Sequence, residues 1–148
     1  MHRRYHRDEV LAAIGGSTFE KRRDVREGRY WLETARTEVF FVTLNKSEKH
    51  FSPSTRYQDY AVSPTLFHWQ SQSTTADTSP TGRRYLEQVE NGCRFLLFVR
   101  EHQGDAFTYL GPVFYVSHTG SRPMSITWRL EVPIPAELLQ RYATLLAA

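Results

Sequence analysis

The sequence predicts a small α+β domain: a mostly antiparallel sheet or partly open barrel with short helices on its flanks. Three observations lead there. Four segments are rich in β-branched and aromatic residues, with the regularity of strands. Three of the four follow one another closely in the last 60 residues, where antiparallel pairing is the economical arrangement. The helical patterns between and around them are short, and 148 residues suit one domain with one core.

The elements follow in chain order. Residues 1–7 (MHRRYHR) read as a frayed start. In residues 8–14, Val10, Leu11 and Ile14 fall at helical spacing, and Gly15 with Gly16 ends the pattern. Residues 20–29 alternate in charge sign without apolar periodicity. Tyr30, Trp31 and Leu32 read as a short strand or an aromatic plug. Residues 38–44 (EVFFVTL) are the first strong strand, apolar enough for burial on both faces. Residues 45–53 are turn-like, with Phe51 as an anchor, and residues 57–62 are a short strand or a turn. Leu66, Phe67 and Trp69 after Ser63-Pro64 suggest a helical turn.

Residues 70–81 (QSQSTTADTSPT) form the longest segment of low apolarity, a loop facing solvent or a ligand. Ser79-Pro80 resembles a helix start, and Tyr85, Leu86 and Val89 suggest one helix ended by Asn91-Gly92. Residues 94–101 are the second strong strand. Gln103-Gly104-Asp105 makes a hairpin turn. Residues 107–116 continue as a strand in which Gly111-Pro112 forces a bulge. Residues 125–132 alternate Ile126, Trp128, Leu130 and Val132 with polar residues, the pattern of a half-buried strand. Residues 136–146 put Leu138, Leu139, Tyr142 and Leu145 on one face of a terminal packing helix.

Composition narrows the function classes. Hydrophobic residues at 40% and charged residues at 24% exclude a disordered chain. The longest apolar runs reach only four or five residues, so no helix crosses a membrane. One cysteine, Cys93, excludes an internal disulfide and a cysteine-cluster zinc site. The basic start lacks a following apolar stretch, so no secretory signal is expected and the cytoplasm is the default. Net charge is only +3, but all of the 19 basic residues except Lys21, Lys46 and Lys49 are arginine. The planar fork of arginine suits phosphate and carboxylate.

Motifs for catalysis are sparse. No glycine-rich nucleotide loop is present, although Gly82 beside Arg83 and Arg84 suggests an anion-binding turn. The six histidines form no metalloprotease pair, leaving only a distant His68, His118 and Asp77 grouping as a metal candidate. Lys46, Glu48 and Lys49 do not follow the usual order of a metal-dependent nuclease. Ser71, Ser73 and Ser79 sit near His68 and Asp77 without a nucleophile elbow. No cofactor and no catalytic residue is assigned on these grounds.

The polar centre reads better as a recognition surface. His68, Trp69, Gln70, Ser71 and Gln72 put an aromatic ring beside amides, a hydroxyl and an imidazole, the groups that hold a base by stacking and edge hydrogen bonds. The alternative is that Trp69 is a core residue whose neighbours satisfy local backbone. Arg122, in the loop before the last strand, and Arg129 on its polar face are further cations for phosphate or acids.

Several of these segments together carry a resemblance. They are residues 44–49 (LNKSEK), 51–53 (FSP) with 57–61 (YQDYA), 66–73 (LFHWQSQS), 79–85 (SPTGRRY), 97–101 (LFVRE), 109–112 (YLGP) and 120–128 (GSRPMSITW). They are similar to the DUF3427-type C-terminal domain of bacterial superfamily II helicases. Such proteins often also carry a phospholipase-D-like nuclease domain, and the module recurs in restriction-like and HNH nuclease contexts. The resemblance spans about residues 5–142, so the whole chain reads as one such domain. It implies DNA processing or phage defence, with DNA and helicase or nuclease domains as partners, and it carries no catalytic residues.

The leading expectation is therefore a DNA-binding accessory module, in its sharpest form a reader of a modified base. His68, Trp69, Gln70, Ser71 and Gln72 would hold the base, and Lys46, Arg83, Arg84 and Arg122 the phosphates. The alternative is a protein-docking module with Phe67 and Trp69 as exposed anchors. A third option is a cryptic metal-dependent nuclease using Glu48 or Asp77.

Overall fold

The structure, a computed structural model, describes residues 2–13, 28–45 and 59–147. In order these form β1 (Arg4–Tyr5), α1 (Arg7–Ala13), β2 (Arg29–Leu32), β3 (Thr37–Asn45), β4 (Tyr60–Ser63) and β5 (Leu66–Gln70). There follow α2 (Pro80–Leu86), α3 (Gln88–Asn91), β6 (Arg94–His102), β7 (Phe107–Thr119), β8 (Ser125–Leu130) and α4 (Ala136–Ala147). The strands make one open mixed sheet in the order β2-β3-β6-β7-β8-β5-β4, with β1 paired to β7. Neighbours are antiparallel except β3 and β6, which run parallel. The expected small α+β domain with a mostly antiparallel sheet is the architecture observed.

The sheet is strongly curled. In a flat sheet β3 and β5, four strand spacings apart, would stand about 19 Å from each other. Instead the rings of Phe40 on β3 and Trp69 on β5 have centroids 4.5 Å apart. Phe40 also meets Phe95 of β6 at 5.7 Å and Trp128 of β8 at 5.5 Å. Tyr85 of α2 sits inside the curl, edge-on to Phe40, Trp69, Phe95 and Trp128. Large rings from four strands and a helix thus make one inner core. The convex side of β3 is buried too, with Val39 and Phe41 packed against Val10, Tyr30, Phe98 and Phe107. Burial of β3 on both faces follows from its unbroken apolar run.

The bulge expected at Gly111-Pro112 is present. The β6–β7 register shifts at Leu110, immediately before it, and Gly111 has φ +97°, open to glycine at low cost. Val62 and Val116 lie at two further shifts and are exposed, so these two bulges put the unpaired residue in solvent, whereas Leu110 at the β6–β7 bulge is buried.

Two expectations need correction. Residues 66–70 are a strand, not a helical turn, pairing with β8 from Leu66↔Arg129 to Gln70↔Ser125. The segment from Ser79 to Asn91 is two short helices, not one. Ser79 caps α2, its Oγ accepting from the Gly82 N–H at 3.2 Å, and Pro80 opens the helix as expected. The break at Glu87 lets the buried Gln88 turn towards β7. There its Nε2 donates to the Val113 carbonyl and its Oε1 accepts from the Tyr115 N–H. These are groups of β7 beside the beginning of β6, and leaving them unpaired would cost more than one helical hydrogen bond. Val89, expected on the packed face, is 89% exposed as a result.

Candidate nucleic-acid interface

The strand at residues 66–70 divides the expected base-binding cluster, because side chains alternate between the faces of a sheet. Phe67 and Trp69 point into the curl and are 0% and 6% exposed, so neither is the exposed docking anchor expected in the alternative reading. His68 and Gln70 stand on the convex face. His68 stacks on Tyr60 with centroids 4.7 Å apart, and Gln70 Nε2 donates to Ser125 Oγ at 3.1 Å. Ser71 is 1% exposed and pins the β8 loop: its Oγ accepts from the Met124 N–H at 2.8 Å, and its N–H donates to the Met124 carbonyl. Gln72 lies further on, where Arg29 Nε donates to its Oε1 at 3.2 Å. Its carbonyl accepts from Thr75 N–H and Ser71 Oγ.

Gln72 leads to a polar cluster at the mouth of the curl. Glu38, fully buried at the start of β3, accepts from Arg84 Nη2 at 2.5 Å and from the Tyr85 hydroxyl at 2.8 Å. Arg29 Nη1 lies 3.8 Å from the same carboxylate. The Arg84 guanidinium lies over the Trp31 ring at 4.1 Å. Burial, and then the neighbouring Glu38, holds the Tyr85 hydroxyl well above its ordinary pKa, so it stays protonated as a donor. Sequence reasoning missed Glu38 and Arg29. The signal was a charged residue opening an otherwise apolar strand.

The 71–79 segment and the β7–β8 loop lock together at the same end of the sheet. Arg122 N–H donates to the Thr75 carbonyl at 2.9 Å, Asp77 N–H donates to Ser121 Oγ, and Ser121 Oγ donates to Asp77 Oδ1. His118 Nε2 is 3.8 Å from Asp77 Oδ2, and its Nδ1 lies 2.8 Å from the Tyr115 hydroxyl. His118 and Asp77 are thus brought together, but among the described residues no group of three acids, histidines or cysteines is placed to hold a metal.

The four expected phosphate ligands have different surroundings. Arg122 is exposed, has φ +57°, and its guanidinium has no partner among the described residues. Arg83 is exposed and paired with Glu87 one helical turn on. Arg84 is half-buried and paired with Glu38, a carboxylate it shares with Arg29. Lys46 lies outside the described residues, as does Glu48. Gly82 is not an anion-binding turn: its N–H is taken by Ser79, and it is buried against the Ala76 carbonyl. Arg129 lies over the Phe114 ring on the convex face.

A family model described as a domain of unknown function, DUF3427, matches residues 1–142. No curated protein matches the chain. Among solved structures the chain is similar to the DNA modification-dependent restriction endonuclease AspBHI. The two are 13% identical with a TM-score of 0.48, over 76% of this chain and 37% of that one. The chain therefore corresponds to little more than a third of that enzyme's length.

Proposed function

The chain belongs to the DUF3427 family, and on that premise we propose that it is a DNA-binding accessory module of a defence, restriction or helicase–nuclease system. It engages DNA at the end of the sheet where the 71–79 segment meets the β7–β8 loop. The observation that carries this reading is Arg122. A non-glycine residue in the left-handed region is strained, and strain persists where the surroundings fix it. Here the fixing bonds run from Arg122 N–H to Thr75 and from Asp77 to the neighbouring Ser121, and they hold out a guanidinium that no carboxylate among the described residues neutralises. A pre-positioned arginine on a rigid loop loses little freedom on meeting a phosphate.

Arg83 adds a second cation, since its exposed pair with Glu87 exchanges at small cost. His68, Gln70 and Gln72 supply hydrogen-bonding groups for a base edge, with the Tyr60–His68 stack beside them. Trp69 and Ser71 hold this surface in place from below. Reading of a modified base, and helicase or nuclease domains as partners in the cytoplasm, belong to the same proposal. They rest on the family resemblance.

Fluorescence anisotropy tests it, with duplexes carrying unmodified, methylated or hydroxymethylated cytosine, and with single strands. Affinity should fall steeply between about 50 and 200 mM salt. Arg122→Asn removes the charge while tolerating the left-handed backbone, and should flatten the salt slope by about one. Absence of binding to every DNA form at low salt, or binding indifferent to salt, would sink the proposal.

A further inference from the structure

The cluster at Glu38 holds more positive charge than it needs. Two guanidiniums, Arg29 and Arg84, share one carboxylate, leaving one positive charge in excess. Their side chains are only 16% and 19% exposed, so water hydrates that charge poorly. Among the described residues no second carboxylate lies within ion-pair distance of either. Arg84 Nε is buried without a hydrogen-bond partner. The guanidinium is held flat by the Trp31 ring, and Arg29 is steadied by Gln72 through its Nε. Two planar forks already ordered, partly dehydrated and short of negative charge are what an oxyanion binds well.

We propose that the mouth of the curl is an oxyanion site of the phosphate class, with Arg29 and Arg84 as its ligands and Glu38 as the group that sets their spacing. This site shares Gln72 with the proposed DNA surface but not Arg122, and it does not depend on the DNA reading. Its phosphate group comes either from a small phosphorylated molecule or from the end of a nucleic acid strand. Glu38 opposes the anion's charge while it orders the arginines, so its affinity stays moderate.

The test is isothermal titration of the full chain with inorganic phosphate, against chloride at matched ionic strength. In parallel, a 5′-phosphorylated oligonucleotide is compared with its 5′-hydroxyl counterpart. Arg29→Met, which spares the closer Arg84–Glu38 pair, should weaken phosphate binding about tenfold or more. Glu38→Gln keeps acceptor capacity but removes the opposing charge, so it should tighten phosphate binding; a purely structural Glu38 would give no gain. Arg29-dependent binding of inorganic phosphate identifies the small-molecule source. Arg29-dependent preference for the 5′-phosphate alone identifies the nucleic-acid source. No Arg29-dependent binding in either arm overturns the site, and so does weaker binding by folded Glu38→Gln. If Glu38→Gln does not fold, Arg29→Met decides alone.

Discussion

Tyr85 shows how one hydroxyl serves both the core and the site. Its ring fills the centre of the curl, and its hydroxyl donates to Glu38 at 2.8 Å. Tyr85→Phe keeps the ring and deprives a buried carboxylate of one donor. A hydrogen bond to a charged group is worth about 1.5–3 kcal/mol, so the urea midpoint should fall accordingly. The pH dependence follows from the raised pKa. The folded chain keeps a proton that the unfolded chain loses near pH 10. Its stabilisation is therefore complete below about pH 10 and is lost as pH rises towards the folded value. Burial also raises Tyr109, Tyr115 and Tyr142, so the informative quantity is the difference between wild type and Tyr85→Phe. That difference should shrink above pH 10 in urea titrations, and a constant gap would show that the proton is not retained. Neither this bond nor the Glu38 cluster was legible in the sequence. The partners of Glu38 on α2 lie 46 and 47 residues away, and only the fold brings them together. The polar centre was legible as a set of residues, but not its division, because that depends on residues 66–70 being a strand.

At the scale of elements, local pattern succeeded where it reported burial and failed where tertiary bonds overrode it. The alternation of residues 125–132 marked β8, which ends at Leu130, and the unbroken run at residues 38–44 marked β3. The Ser79-Pro80 helix start was legible because capping is local chemistry. The break at Glu87 was not, since its cause is the docking of Gln88 on β7. The LFHWQ segment looked helical from its spacing, yet alternation between core and convex face fits it as well, and a short apolar run does not distinguish them. Gly82 shows what α2 needs in order to pack. A Cβ added there would lie 2.1 Å from the Ala76 carbonyl oxygen and 3.0 Å from Met124 Sδ. The carbonyl belongs to backbone held by the Ser79 bonds, so it yields poorly. Gly82→Ala should cost about 3 kcal/mol, at the upper end of overpacking effects, read as a lower urea midpoint. A change below about 0.5 kcal/mol would mean that α2 shifts freely.

For the whole molecule, the curl explains why stability and recognition separate. The sheet stays open, and α4 lies against both β3 and β4, on opposite sides of the strand order. The terminal packing helix was legible from its apolar face, but its place across this seam was not. The parallel β3–β6 pair also escaped the sequence. It arises because the chain crosses over between these strands instead of making a hairpin. Tyr142 anchors α4, 4% exposed within the inner core, with its hydroxyl kept protonated by burial. It lines a recess with Thr108 and Glu101, near the end of β6. The Glu38 cluster sits at the other end, where β6 begins, and the Arg122 loop lies further on, where β7 finishes. Tyr142→Ala should therefore remove about 3–5 kcal/mol of stability, a large fraction of the total for a domain of this size. Ligand affinity should nevertheless be unchanged when measured well below the melting transition. Thermal melts and anisotropy on the same variant decide this. Loss of affinity in a chain still folded by circular dichroism would show that α4 shapes the mouth from across the sheet, and the separation of fold from site would fail.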